Sequence, residues 1–101
     1  MFKGVTPVGV TVTAELSLDA DARGPAFLTM AWSAGGSTGD EDSCIVAPGG
    51  FGQASVTPAE PGLLRVYVDM TRESDRGVLS VRPPTPPEPV RGDTTWTYSV
   101  E

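Results

Sequence analysis

Apolar and polar side chains alternate strictly along residues 8–18, the most regular pattern in the chain. Every second residue is valine, alanine or leucine, and the residues between them are glycine, threonine, glutamate or serine. Successive side chains of a β-strand point to opposite faces of a sheet, so a period of two is typical of a strand with one buried face. We therefore predict a long strand over residues 8–18 that packs one face against a core.

The same period of two returns in shorter segments, which are separated by glycine, proline or charged residues. The predicted shorter strands are residues 26–33, 44–46, 53–57, 63–70, 78–82 and 94–100. The apolar residues that share a face are Leu28, Met30 and Trp32, then Leu64, Val66, Val68 and Met70, and finally Trp96, Tyr98 and Val100.

No part of the sequence shows the 3.6-residue period of an amphipathic helix. About seven short strands separated by glycine- and proline-rich turns are typical of an antiparallel β-sandwich, immunoglobulin-like or jelly-roll-like. We predict an all-β chain in which residues 1–101 form one sandwich domain without substantial helix, because a chain of 101 residues supports one core. Residues 63–70 and 78–82 are expected to form a hairpin, and residues 33–43 a loop.

Five of the seven residues in 83–89 are proline. Proline has no N–H to give to a sheet, so this proline-rich segment is predicted to be an extended connector inside the domain that carries the last strand to the other sheet. Pro86, Pro89 and Arg91 also fit the spacing of a ligand for SH3-type grooves. A stiff spacer is the favoured interpretation, because predicted strands lie on both sides of the segment.

The chain has no histidine and only one cysteine and one lysine. Nucleophilic catalysis needs a base poised near neutral pH, and zinc, copper or iron sites need several histidine or cysteine ligands. No glycine-rich phosphate loop of the Walker or dinucleotide type is present. We therefore expect no enzyme activity, no cofactor and no metal site, although paired carboxylates leave glycoside hydrolysis formally open.

Two short segments resemble known motifs. The acidic residues of Asp40–Asp42 lie in a predicted loop, and calcium takes oxygen ligands from such loops, but adjacent acids usually stay hydrated. Arg91-Gly92-Asp93 spells the integrin-recognition tripeptide, and the same residues also make an ordinary turn before the last strand. The solvated loop and the ordinary turn are the favoured interpretations.

Thirteen acidic against seven basic residues give a net charge of −6, which argues against a nucleic-acid partner. No apolar run is long enough to span a membrane, and residues 1–11 lack the apolar stretch of a secretory leader, so synthesis in the cytoplasm is expected. The chain has no asparagine, one isoleucine and six arginines. GC-rich codons favour such a usage, which points to a GC-rich bacterium or one of its phages.

Some apolar side chains fall on the predicted outer faces, in a turn or near the first residue. Interfaces concentrate aromatic anchors, and burying one against a partner contributes roughly 1.5–3 kcal/mol. The alternative is that a loop of the same chain covers these side chains. The candidate partner-binding residues are Phe2, Phe27, Phe51, Leu63 and Tyr67.

These patterns favour a non-enzymatic structural or interaction subunit that binds and stabilises a larger assembly. The best fit is a phage accessory protein, a capsid decoration or a tail protein, located in the virion after synthesis in the host cytoplasm; the alternative location is the cytoplasm. Its expected partners are capsid or tail subunits, or further copies of itself. The alternative function is recognition of a carbohydrate or a host protein, with Tyr67, Phe27 and Phe51 stacking on sugar rings.

Overall fold

The alternating segments form strands whose apolar faces meet between two β-sheets. The structure, a computed structural model, describes residues 2–34 and 37–101. Nine strands and no helix occur in these two ranges, so the predicted all-β sandwich is confirmed. The strands are β1 (Phe2–Thr6), β2 (Val12–Leu18), β3 (Ala26–Ala34), β4 (Ser37–Val46), β5 (Phe51–Val56), β6 (Gly62–Asp69), β7 (Arg76–Arg82), β8 (Thr85–Arg91) and β9 (Thr94–Val100).

Sheet A contains five strands in the order β1-β9-β6-β3-β4, and sheet B contains four in the order β5-β2-β7-β8. β1 and β9 pair in parallel, and the other neighbouring strands pair antiparallel. The expected number of about seven strands is too low, because β1 and β8 were not predicted as strands.

One hydrophobic core lies between the sheets. The faces predicted from the alternation are confirmed, since the apolar residues of β3, β6 and β9 are buried there. Met70 is only partly buried, because β6 ends one residue before it. The fully buried side chains of largest volume are Tyr98, Leu16, Leu28, Met30, Leu64 and Leu79, followed by six valines.

The predicted strand over residues 8–18 is wrong at its start. β1 belongs to sheet A and β2 to sheet B, so the chain crosses between the sheets over residues 7–11. Gly9 has a φ of +82°, a left-handed conformation that glycine adopts without steric cost. Its N–H donates to the carbonyl of Pro58 at 2.8 Å, and the N–H of Val8 donates to the carbonyl of Glu101 at 3.1 Å. These two hydrogen bonds give the backbone N–H groups of the crossing loop their partners, in a segment where a strand was expected.

The predicted hairpin between residues 63–70 and 78–82 is also wrong. β6 lies in sheet A between β9 and β3, whereas β7 lies in sheet B between β2 and β8. The buried carboxylate of Asp75 fixes the connection, because it accepts the N–H of Arg23 at 2.9 Å and that of Arg72 at 3.1 Å. The loop before β7 is thereby tied to the loop before β3 instead of closing a tight turn.

The proline-rich segment 83–89 is a connector only at its start. From Thr85 onward it forms β8, which pairs antiparallel with β7 at the edge of sheet B. An edge strand needs ladder hydrogen bonds on one side only, and prolines are tolerated there. The crossing of the last strand to the other sheet does occur, but at residues 92 and 93, between β8 and β9.

The two sheets are fastened together where β1 and β9 face β8. Tyr98 on β9 is fully buried, and its hydroxyl shares a 2.8 Å hydrogen bond with the hydroxyl of Thr85 on β8. The ammonium of Lys3 on β1 lies 3.1 Å and 3.2 Å from the two carboxylate oxygens of Glu88 on β8. The same ammonium lies 4.4 Å from the centre of the Trp96 ring. These contacts hold one side of the sandwich closed.

Replacing Lys3 with methionine is expected to lower the free energy of unfolding by about 1 kcal/mol, because the cation–π contact and the partly exposed ion pair are both lost. Arg82→Met is the matched control, since Arg82 pairs with Glu15 but is much more exposed than Lys3, and a loss of about 0.5 kcal/mol or less is expected. Urea denaturation at low and high salt measures both. Equal losses for the two variants would contradict a fastening role for Lys3.

Candidate docking face

The outer side of sheet A forms a continuous five-stranded surface, called the A face below. The strand register places its side chains in rows that run across the sheet. Its outward residues are Phe2 and Val5 on β1, Thr95, Thr97 and Ser99 on β9, Leu63, Arg65, Tyr67 and Asp69 on β6, Phe27, Thr29, Ala31 and Ser33 on β3, and Glu41, Ser43 and Ile45 on β4.

Exposed apolar side chains lie at opposite ends of the A face. Phe27 and Ile45 are directly opposite each other on β3 and β4, with 48% and 65% of their surface exposed. At the other end Val5 is 52% and Leu63 39% exposed, and both are paired with Ser99. Of the predicted candidates among them, Phe27 and Leu63 remain open to solvent, and no described segment of the chain covers them.

The middle of the A face is rich in hydroxyl groups, and its central strand also carries the charged side chain of Arg65. Tyr67 is half-buried and lies between Thr29 on β3 and Thr95 on β9. The charged groups on the face are Arg65, Glu41 and Asp69, and within the described residues no ion pair involves any of them. Tyrosine and arginine are residue types that interfaces concentrate, and the hydroxyl groups around them would need hydrogen-bond partners when buried.

The structure brings together four of the five predicted partner-binding residues. Phe2, Phe27, Leu63 and Tyr67 all lie on the A face. Phe51 is exposed on the opposite side of the sandwich, on the edge strand of sheet B, so it does not share a surface with the others.

Sequence reasoning missed Ile45 and Val5. Ile45 was placed in a short strand to which no face was assigned, and its position opposite Phe27 depends on the pairing of β3 with β4. Val5 lies in β1, which shows no regular alternation. The available signals were an isoleucine inside a short predicted strand for Ile45 and a single β-branched residue ahead of the strand predicted over residues 8–18 for Val5.

The acidic residues of Asp40–Asp42 lie in β4, so the loop predicted over residues 33–43 is wrong for its described part; residues 35 and 36 lie outside the described residues. The carboxylate of Asp42 accepts the N–H of Ser43 at 3.0 Å and that of Ser55 at 2.9 Å. Asp42 therefore links β4 to the edge of β5. Within the described ranges no group of three or more histidine, cysteine or acidic side chains is arranged to hold a metal ion.

Arg91-Gly92-Asp93 makes a tight corner between the two sheets. Gly92 is buried with a φ of +63°, and its N–H donates to the carbonyl of Asp75 at 2.8 Å. The carboxylate of Asp93 accepts the N–H of Met70 at 2.9 Å. The turn interpretation is therefore confirmed, and the carboxylate of Asp93 is already engaged within the chain.

No family model, curated protein or solved structure matches this chain. In the described part of the chain no helix is long and apolar enough to cross a membrane. What the protein does must therefore follow from its own surfaces.

Proposed function

We propose that the protein is a non-enzymatic interaction subunit that docks by its A face on a larger protein assembly. The observation that carries the proposal is the set of exposed apolar side chains at both ends of a five-stranded face whose central strand carries Tyr67 and Arg65. Interfaces are distinguished from other surfaces by depletion of charged groups at their centre and by apolar and aromatic anchors. The A face has the apolar and aromatic anchors, and its central charged residue is an arginine, a type that interfaces tolerate better than lysine or acidic residues.

The A face is large enough for this role. Five strands about 4.8 Å apart and eight residues rising about 3.3 Å each give a surface of roughly 20 by 25 Å. A standard interface buries about 800 Å² of accessible surface on each partner. Because side chains project from the sheet, the accessible surface of the A face is larger than this flat outline and comes close to that size. Burying Phe27, Ile45, Val5 and Leu63, each already partly covered, contributes on the order of 4 kcal/mol in total. That gain offsets only part of the cost of association, so polar contacts of the threonine-rich middle have to add to it.

The assembly that we propose is a phage particle, on which the protein acts as a capsid decoration or a tail accessory protein. Its codon-driven composition and its lack of groups for nucleophilic or transition-metal catalysis support this assignment. The net charge of −6 keeps free copies apart in solution. A subunit that binds only the assembled state raises the stability of that state by mass action.

The test compares serine variants on the two sides of the sandwich. Phe27→Ser and Tyr67→Ser on the A face are expected to reduce co-sedimentation with intact particles from lysed host cells at least tenfold. Each should lower the free energy of unfolding by only about 1 kcal/mol, because neither side chain is in the core. Phe51→Ser is the matched control, since Phe51 is an exposed aromatic residue of the opposite side, and it should sediment as the unchanged protein does.

Two outcomes contradict the proposal. If Phe27→Ser and Tyr67→Ser sediment normally while folded, the A face is not the docking surface. If only Phe51→Ser loses binding, docking occurs through sheet B.

Recognition of a carbohydrate or a host protein is the weaker alternative. Phe27, Tyr67 and Phe51 were expected to stack on sugar rings, and Phe51 lies on the other side of the sandwich from the other two. Phe27 and Tyr67 are on neighbouring strands, one row apart, and this pair is what remains to support sugar stacking. A glycan array separates the alternatives: saturable binding that Tyr67→Ser abolishes would favour a sugar ligand.

A further inference from the structure

Two arginines oppose each other at one end of sheet B, on the side of the sandwich away from the A face. Arg76 on β7 and Arg91 on β8 are direct partners in the strand register, and both are exposed. Like charges directly opposite in an antiparallel pair are destabilising. Within the described residues neither guanidinium forms an ion pair. The fold therefore places two positive charges side by side, neither of them held in an ion pair by the described residues.

An apolar surface adjoins the two arginines. The next row of outward residues along β7 and β8 is Val78 opposite Pro89, and both are exposed. A cavity of about 380 Å³ lies here and is lined by both arginines and by Gly77, Val78, Pro89 and Val90. We call this cavity and its two arginines the arginine cleft.

The neighbouring carboxylates form no ion pair with either guanidinium. Asp21 and Asp75 line an adjoining cavity with Arg76, and the carboxylate of Asp75 accepts backbone N–H groups. Asp19 also lines the cleft, yet its carboxylate is more than 4.0 Å from both guanidinium groups, and its backbone N–H donates to the carbonyl of Arg76 at 3.0 Å. Asp93 lines an adjacent cavity with Arg91, and its carboxylate accepts the N–H of Met70. Glu73 lines that same adjacent cavity. The cleft itself thus carries two positive charges and one negative charge.

We propose that the arginine cleft binds an acidic segment of a partner protein, with a carboxylate on Arg76 and Arg91 and an apolar side chain on Val78 and Pro89. A guanidinium pairs with a carboxylate through two parallel hydrogen bonds, which fixes its orientation. The arginine row and the apolar row are two residues apart along the strand, about 7 Å. Side chains i and i+2 of an extended peptide have the same separation, so the ligand pattern is acid, any residue, apolar residue. This site is separate from the A face and stands or falls independently of it.

The probe is the peptide acetyl-Ser-Glu-Ser-Leu-Ser-amide, titrated into the ¹⁵N-labelled protein and followed by amide chemical shifts. Saturable shifts of the Gly77, Val78 and Val90 amides are expected, with a Kd on the order of 1 mM, because one charged pair and one apolar contact are made. The peptide with glutamine in place of glutamate should bind at least fivefold more weakly. Inorganic phosphate is the third ligand and tests whether an anion alone is sufficient.

Arg76→Gln and Arg91→Gln should each weaken binding of the glutamate peptide at least fivefold. Arg72→Gln is the matched control, since Arg72 is an exposed arginine in the loop before β7 and does not line the cleft. Equal binding of the glutamate and glutamine peptides, absence of shifts at about 10 mM peptide, or identical shifts with phosphate at the same concentration would each overturn the proposal.

Discussion

Replacing Gly77 with alanine lowers the free energy of unfolding by about 3 kcal/mol or more. Gly77 lies in β7, in the interior of sheet B, and is paired with Leu18 on β2. A Cβ atom at this position would overlap the carbonyl oxygen of Ser17, which is backbone and belongs to the adjoining strand. The two strands have to separate locally, and hydrogen bonds between β2 and β7, each contributing about 1 kcal/mol, are lost. Urea denaturation monitored by tryptophan fluorescence measures the change.

Gly50→Ala is the control for the general effect of replacing a glycine with alanine, without the steric overlap found at Gly77. Gly50 lies in the turn between β4 and β5, and an added Cβ atom would be 3.2 Å from the carbonyl oxygen of Ala47, a contact that a small shift relieves. A loss of about 1 kcal/mol or less is expected. If Gly77→Ala lowered the free energy of unfolding no more than Gly50→Ala does, the inference that the backbone of Ser17 leaves no room for a side chain at residue 77 would be wrong.

The protein is expected to lose about 2–3 kcal/mol of stability as the pH rises from 10 to 12, because of Tyr98. Burial of the hydroxyl, opposed in part by its hydrogen bond with Thr85 and reinforced by the charge of Glu88, raises the pKa of Tyr98 from 10.0 to about 12. Below pH 10 the tyrosine is protonated in both states, and its contribution is complete. Between pH 10 and 12 the unfolded chain releases this proton while the folded chain retains it, so alkali favours unfolding.

Two phenylalanine variants separate this effect from other alkaline changes. In Tyr67→Phe, Tyr98 is the sole remaining tyrosine, and its tyrosinate absorbance should rise with a midpoint near pH 12 or together with unfolding. Tyr98→Phe should lose about 1–2 kcal/mol at neutral pH, because the buried hydroxyl of Thr85 loses its partner. The same variant should show a smaller loss of stability between pH 10 and 12. An unchanged alkaline dependence in Tyr98→Phe would contradict the assignment.

Alternation along the chain predicted the buried faces correctly wherever a strand has one face in the core. Leu28 and Met30 on β3, Val66 on β6 and Trp96 on β9 are all buried as expected. The reason is local: the direction of a side chain in a strand depends only on its position along that strand. Inward and outward residues could therefore be assigned before any partner strand was known.

Pairing between strands could not be predicted in the same way. β6 and β7 are consecutive, yet they lie in different sheets, and the choice depends on the buried carboxylate of Asp75, which ties together two loops distant in sequence. β8 was predicted as a connector because it lacks donors, but at the edge of a sheet half of its backbone groups need no protein partner. Both errors concern contacts between segments that lie far apart along the chain.

The residues of the candidate surfaces also differ in whether local sequence or strand pairing identifies them. Phe27 and Tyr67 were identified from their positions between inward residues, which is local information. The pairs Phe27–Ile45 and Arg76–Arg91 exist only through the register of neighbouring strands. A row of side chains across a sheet is a product of register, and a sequence without a known partner strand does not contain it.

Prolines in β8 affect how copies of the protein behave when they are crowded. Pro86, Pro87 and Pro89 leave three of the seven residues of this outermost strand without an amide hydrogen. A strand from a second molecule that approached this side would find an interrupted row of donors, so it could not extend the sheet into a growing fibre. High local concentrations of the protein are therefore tolerated without polymerisation from this side.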